Sequence, residues 1–219
     1  MPAEIHLDRS AGWPGRLDGV TDAARDSEQL KALLMAKLQP DRIRATLSFA
    51  GLYQITHEMI KDVVLTSIRQ FYLKGFDETG FRYDEERYAE QVLKRDPKRR
   101  PFPASLLWLV DSGAISLAQA DRLDQIYAHR HELTHELLKY VVDPDFEPDV
   151  NLFVDAIEIL TAIQRFWTQV EIDVGSFEHL GNVTVDDAVP ASLVVLQLCI
   201  DAYAAGLKAT PTTAPEVST

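Results

Sequence analysis

Apolar residues recur at three- and four-residue steps along most of the chain, the spacing of helices that each bury one face. "DSEQLKALLMAKL" predicts a short helix ended by Gln39-Pro40. With Asp41 as its cap, a long helix is expected to follow to about Leu73, because Phe49, Tyr53, Ile60, Val63, Val64 and Phe71 keep the helical step. "GFDETG" breaks it, "YDEERYAEQVLKR" reads as a shorter helix, and "PASLLWLVDSG" as a brief apolar one that Gly113 stops. Ser116 and Gln119 form an S-x-x-Q capping box before "LAQADRLDQIYAHRHELTHELLKYVV", expected to run as one helix until Pro144 forbids continuation beyond the next turn. "DVNLFVDAIEILTAIQRFWTQVEIDV" gives another amphipathic helix ending near Gly175, and a last apolar helix spans about Ala191 to Leu207. No strand pattern and no internal repeat is evident. The expected class is all-α: an antiparallel helical bundle with short extra helices in one domain over residues 25–207. An irregular lead-in covers 1–24 and a disordered tail 208–219.

Composition narrows the picture slightly. At 219 residues, 46% of them apolar, the chain can bury one sizeable core. No run approaches the roughly 18 consecutive apolar residues of a membrane span, and the N-terminus lacks the basic-then-apolar order of an export signal. A cytoplasmic location without a membrane partner is therefore expected. Cys199, the one cysteine, rules out an intrachain disulfide and a Cys-rich metal site, and reads as a small core residue. His57 and Tyr88 are expected to pack, as are Trp108 and Trp167 on apolar faces.

Charge matters more. The net charge of −12 repels nucleic acid at long range, so any phosphate contact needs a local cationic patch. "LKRDPKRRPFPAS" supplies one, a loop between helices carrying Lys94, Arg95, Lys98, Arg99 and Arg100. It reads either as a solvated connector balancing acidic neighbours such as "YDEER", or as an RNA contact.

The candidate chemistry lies in "HRHELTHEL", residues 129 to 137, which has two registers. From His131 it spells H-E-x-x-H, in which His131 and His135 stand one helical turn apart and could share zinc, with Glu132 as base. That register lacks a third ligand: Leu138 and Val141 stand where an extended motif needs Gly and His, and of the downstream acids Glu158 is expected to face water and Asp155 to be marginal. From Arg130 it spells R-x-x-x-x-H. On a helical wheel the apolar face drawn from Leu123, Ile126, Tyr127, Leu133, Leu137, Leu138 and Val141 is centred on Arg130 and Thr134, with His131 about 80° and His135 about 120° away. A guanidinium keeps its charge in a protein, and burying it unpaired is costly, so something negative must meet Arg130.

"IYAHRHELTHELL" resembles the motif of the HEPN superfamily, all-α bundle proteins in which R-x(4 to 6)-H sits in a core helix and the residue after Arg is commonly Asn, Asp or His. Arg130, His131 and His135 match these features, and the helical layout agrees loosely from about Ile43 to Val174. The resemblance implies a metal-independent endoribonuclease without cofactor, often a toxin or defence effector, with two motif copies meeting across a homodimer. It also implies RNA as substrate and an inhibitor or antitoxin protein as a partner. In that scheme His135 acts as acid and base, Arg130 holds the scissile phosphate and His131 orients the cleft. Other members have lost catalysis and only bind RNA or protein. Position 137 is Leu where toxin members modified by a nucleotidyltransferase carry Tyr, which puts that mode of regulation in doubt; Tyr140 is nearby but out of register.

Overall fold

The computed structural model describes residues 27–208, so the lead-in 1–24 and the tail beyond Lys208 lie outside the described residues. The fold is mainly α-helical, with one small hairpin. Helix α1 (Ser27–Lys37) leads into α2 (Pro40–Asp62), which continues through a π-helical turn (Val63–Ser67) into α3 (Ile68–Phe71). The long helix is thus present, with two corrections. Pro40 itself opens it after an extended Gln39, whose side chain turns back to donate to the Met35 carbonyl of α1 at 3.0 Å and does not cap α2, while Asp41 lies in the first turn and pairs with Arg44 at 3.1 Å. Proline suits that first position because the N–H it lacks would have no helical partner there. The π turn inserts extra residues, so the apolar phase shifts. Ile68 is sealed while Phe71, in phase on a regular wheel, is 49% exposed.

The expectation of no strands is also corrected. Strand β1 (Leu73–Asp77) pairs antiparallel with β2 (Gly80–Tyr83), and Phe76 stands opposite Phe81. The stretch read as a simple helix breaker holds the end of β1, the turn and the first residue of β2. Asp77 accepts hydrogen bonds from the Thr79 backbone (2.9 Å) and hydroxyl (2.6 Å), closing the turn. Its strands are largely exposed and show no two-residue alternation of apolar and polar side chains, which is why the pattern hid them.

Helix α4 (Glu85–Gln91) is capped by Asp84, and α5 (Pro101–Asp111) ends where Gly113 takes a φ of 76°. Helix α6 (Leu117–His135) opens on the capping box expected of Ser116 and Gln119, both reciprocal hydrogen bonds being formed. It does not run on to Pro144. Glu136 leaves the helical region at φ −121°, ψ 29°, and a separate helix, α7 (Leu137–Val142), follows. No proline or glycine marks this break. Tertiary packing decides it: the re-aimed α7 buries Tyr140 to 2% exposure against His129 and Phe146. Leu138, drawn into the motif helix's apolar face by the wheel, is instead 71% exposed, and Tyr127 51%.

Helix α8 (Val150–Asp173), capped by Asp149, and α9 (Ala191–Lys208) complete the fold. Helix α2 touches α6, α7, α8 and α9, and the buried apolar side chains form one contiguous cluster. Tyr88 and His57 are buried, Trp108 stacks on Trp167 at 5.9 Å, and Cys199 is half-buried against the core. The Lys37 ammonium, nearly sealed, donates to the Phe146 carbonyl (2.6 Å) and pairs with Glu147 (2.7 Å), tying α1 to the segment before α8. Helix α9 is, by length and composition alone, apolar enough to cross a membrane, with a mean hydropathy of 1.4 over 18 residues. Its Leu193, Leu196 and Ile200 are buried in the core, and α9 packs against α2.

Candidate functional site

The buried ridge of α6 is Leu123, Ile126 and Leu133, and it presses the helix against α2 and α8. Arg130 lies on this ridge, one turn beyond Ile126, and its side chain is 19% exposed. Thr134, placed beside it at the centre of the predicted face, is exposed and donates back to the Arg130 carbonyl at 2.9 Å. The wheel erred there because it included Tyr127, which is exposed on α6 itself, and residues of α7, which do not share the axis of α6.

What meets the guanidinium is Glu58 of α2. Arg130 Nη2 donates to Glu58 Oε1 at 3.2 Å, and Gln54 Nε2 donates to the same oxygen at 3.1 Å. His57 Nδ1 lies 3.5 Å from that oxygen, an electrostatic contact too long for a formed hydrogen bond, and Lys61 Nζ lies 3.8 Å from Oε2. The pair is end-on rather than a two-pronged fork, and Arg130 Nε is buried with no hydrogen-bond partner. The need for an anion was legible in the sequence, but its identity was not. Glu58 lies 72 positions from Arg130, and only the packing of α2 on α6 joins them.

The histidines divide into two kinds. His131 and His135 are exposed on α6, one turn apart, with ring centroids 4.3 Å apart, and Tyr127 stacks on His131 at 6.5 Å. His135 is the last residue of α6, beside the chain break at Glu136. His57 and His129 are drawn inward. His129 packs edge-on to Tyr53 and Tyr140, and its Nε2 accepts the backbone N–H of Asp149 at 2.9 Å, fastening α6 to the start of α8. The sequence offered no signal for His129 beyond its place in the motif.

Burial pushes the His129 imidazole below its ordinary 6.5 against the pull of Asp149 and Glu132. Burial likewise lowers His57, with the Arg130 cation adding to the effect and Glu58 opposing it. Both groups favour the neutral form when folded. The stability they contribute is fully present above pH 6.5 and is lost as pH falls through their lowered folded-state values. We expect the melting temperature to drop between about pH 7.5 and pH 5, and His129→Gln, which keeps an acceptor but cannot be protonated, to flatten that slope. An unchanged slope would remove the role assigned to His129.

The acids around the motif are committed elsewhere. Glu132 lies within 3.3 Å of Lys139 and accepts from Tyr140; burial raises its carboxyl, but these hydrogen bonds outweigh it and hold the group below its ordinary value. Asp155 holds Arg122 at 2.6 Å, and Glu158 is exposed on α8. Among the described residues, no three or more His, Cys, Asp or Glu side chains gather where they could hold a metal ion.

The basic segment is part loop and part 3-10 turn (Leu93–Arg95). Lys94 pairs with Glu90 and Arg95 with Asp111. Arg100 grips Asp96 through Nε at 3.1 Å and Nη2 at 2.9 Å. The hydrogen bonds from Arg100 hold the Asp96 carboxyl down at about 2. Lys98 and Arg99 are exposed and form no ion pair among the described residues, and Arg99 has a left-handed φ of 53°. Arg100 feels the charge of Asp124, so the segment borders the same helix that carries the motif. No family model, curated protein or solved structure matches this chain.

Proposed function

We propose that this protein is a metal-independent endoribonuclease of HEPN type, its helices forming that family's antiparallel bundle, and that it acts as a cytoplasmic homodimer. A role as toxin or antiphage effector, restrained by an inhibitor protein, accords with that reading. One His135 takes the proton from a ribose 2′-OH, and the 2′-oxygen attacks the adjacent phosphorus. The His135 of the second copy protonates the departing 5′-oxygen, leaving a 2′,3′-cyclic phosphate. Arg130 binds the scissile phosphate and offsets the charge gathered on it, while His131 lines the cleft. An imidazole can both accept and donate a proton, so one residue type serves both transfers.

The observation that supports this reading is the incomplete neutralisation of Arg130. A guanidinium kept for structure alone would be expected to satisfy its buried N–H groups. Here a buried Nε has no partner, a single carboxylate oxygen meets the group, and two exposed imidazoles follow on the same helix. Incubating the purified protein with RNA, with and without a chelator, tests it. Cleavage that yields cyclic phosphate ends and is indifferent to the chelator is the expected result.

A second reading, a non-catalytic module that binds RNA or protein, is favoured by the same Glu58–Arg130 contact taken as a structural ion pair. It predicts that no RNA is cut, and absence of cleavage across varied RNAs would replace the first reading with it. Either way, the unpaired cations Lys98 and Arg99 are the members of the basic segment best able to meet phosphate. The Lys98→Glu/Arg99→Glu double variant is expected to weaken RNA binding and to lower its salt dependence, by about 0.7 in log–log slope per lost contact. Unaltered binding would assign the segment to solvation.

A further inference from the structure

Glu58 Oε1 is surrounded by nitrogen. Arg130 Nη2 lies at 3.2 Å, Gln54 Nε2 at 3.1 Å and His57 Nδ1 at 3.5 Å, contributed by α2 and α6. Lys61 stands 3.8 Å from the other oxygen. Convergence of this kind around one oxygen is how proteins hold a tetrahedral oxyanion. Yet the carboxylate spends the site poorly. His57 is 7% exposed and its buried Nδ1 makes no hydrogen bond, and the buried Arg130 Nε makes none either. A carboxylate has two oxygens in one plane, whereas a phosphate group presents oxygens in several directions and could engage donors that Glu58 leaves unspent. The site is also reachable, since the Glu58 side chain is 48% exposed.

We propose that Glu58 is an internal stand-in occupying a phosphate site built by Arg130, His57 and Gln54, and that a phosphodiester group binds by displacing it. Gln54 and His57 are then binding residues outside the R-x-x-x-x-H motif, and Glu58 restrains the site in the free protein. Thr134, whose hydroxyl donates to the Arg130 carbonyl, borders the site with its oxygen 3.5 Å from Gln54 Oε1. This inference rests on the nuclease reading for the identity of the phosphate, but not for the existence of the site.

The test is Glu58→Gln, which keeps the shape of the side chain and removes its charge, assayed for binding inorganic phosphate and a 2′-deoxy oligonucleotide that cannot be cleaved. Loss of a half-exposed competing ion pair should tighten binding of both by about two- to fivefold. Adding Gln54→Ala or Arg130→Gln should cancel the gain, and the His57 ring signals should move on titration with phosphate. Glu136→Gln, which removes an exposed carboxylate one position past the end of α6, controls for charge alone. An equal gain in that control, or unmoved His57 signals, overturns the proposal. Tightening with the oligonucleotide but not with phosphate places the gain outside the Glu58 site and also overturns it. If the native protein cuts no RNA while Glu58→Gln gains phosphate, the site stands and the nuclease reading falls. If it cuts RNA and Glu58→Gln gains nothing beyond the control, the reverse holds.

Discussion

His135→Ala is expected to lower RNA cleavage by a factor of about 100 to 10,000, the usual worth of a positioned acid–base group, without unfolding the protein. His135 is exposed at the last position of α6, and its ring lies beside that of His131 with centroids 4.3 Å apart. Surface substitutions of this kind shift stability by about 0.5 kcal/mol or less. Arg130→Ala should produce a loss of about 100- to 1,000-fold, the range seen when one donor to a developing oxyanion is removed. Combining the two should cost little more than the worse single change, because groups that act as a unit in one step do not contribute additively. Cleavage rates on a defined RNA, with melting curves for each variant, check both points. Full activity in either single variant would remove the proposed mechanism.

Ile126→Ala is expected to harm the fold while touching nothing reactive. Ile126 is 1% exposed on the buried ridge of α6, between Leu123 and Arg130. Removing its side chain leaves a cavity that the close-packed surroundings fill only in part, at a cost of about 2–5 kcal/mol. For a chain of this size that corresponds to a melting temperature lower by roughly 5–15 °C. Because the same ridge holds α6 on α2, Arg130 should lose its fixed position beside Gln54 and His57, so RNA cleavage should fall even at temperatures where the variant remains folded. A melting temperature within about 2 °C of the native protein would mean that the ridge is not what anchors this helix.

Much of the architecture was readable from local pattern. The capping box at Ser116, the stop at Gly113 and the opening of α8 after Asp149 are each set by a side chain or a φ preference acting within one turn. The missed features are those in which a distant contact overrules local preference. Tyr140 is drawn against His129 and Phe146, which splits the motif helix at Glu136 although nothing in "THELLKY" favours a break. The π turn at Val63 carries Phe71 out of phase, and the hairpin at Leu73 closes through an aspartate turn without alternating apolar and polar side chains.

The sequence by itself determined that a permanent cation sits on the apolar ridge of one helix, with one histidine beside it and a second a turn further on, because helical periodicity is local and a guanidinium keeps its proton. Tertiary structure alone decided which anion answers that cation. The packing of α2 on α6 brings Glu58, His57 and Gln54 to Arg130 across more than 70 residues, and turns His129 inward to accept the Asp149 amide. Charge compensation acts through space, and spacing along the chain holds no record of which helices will touch.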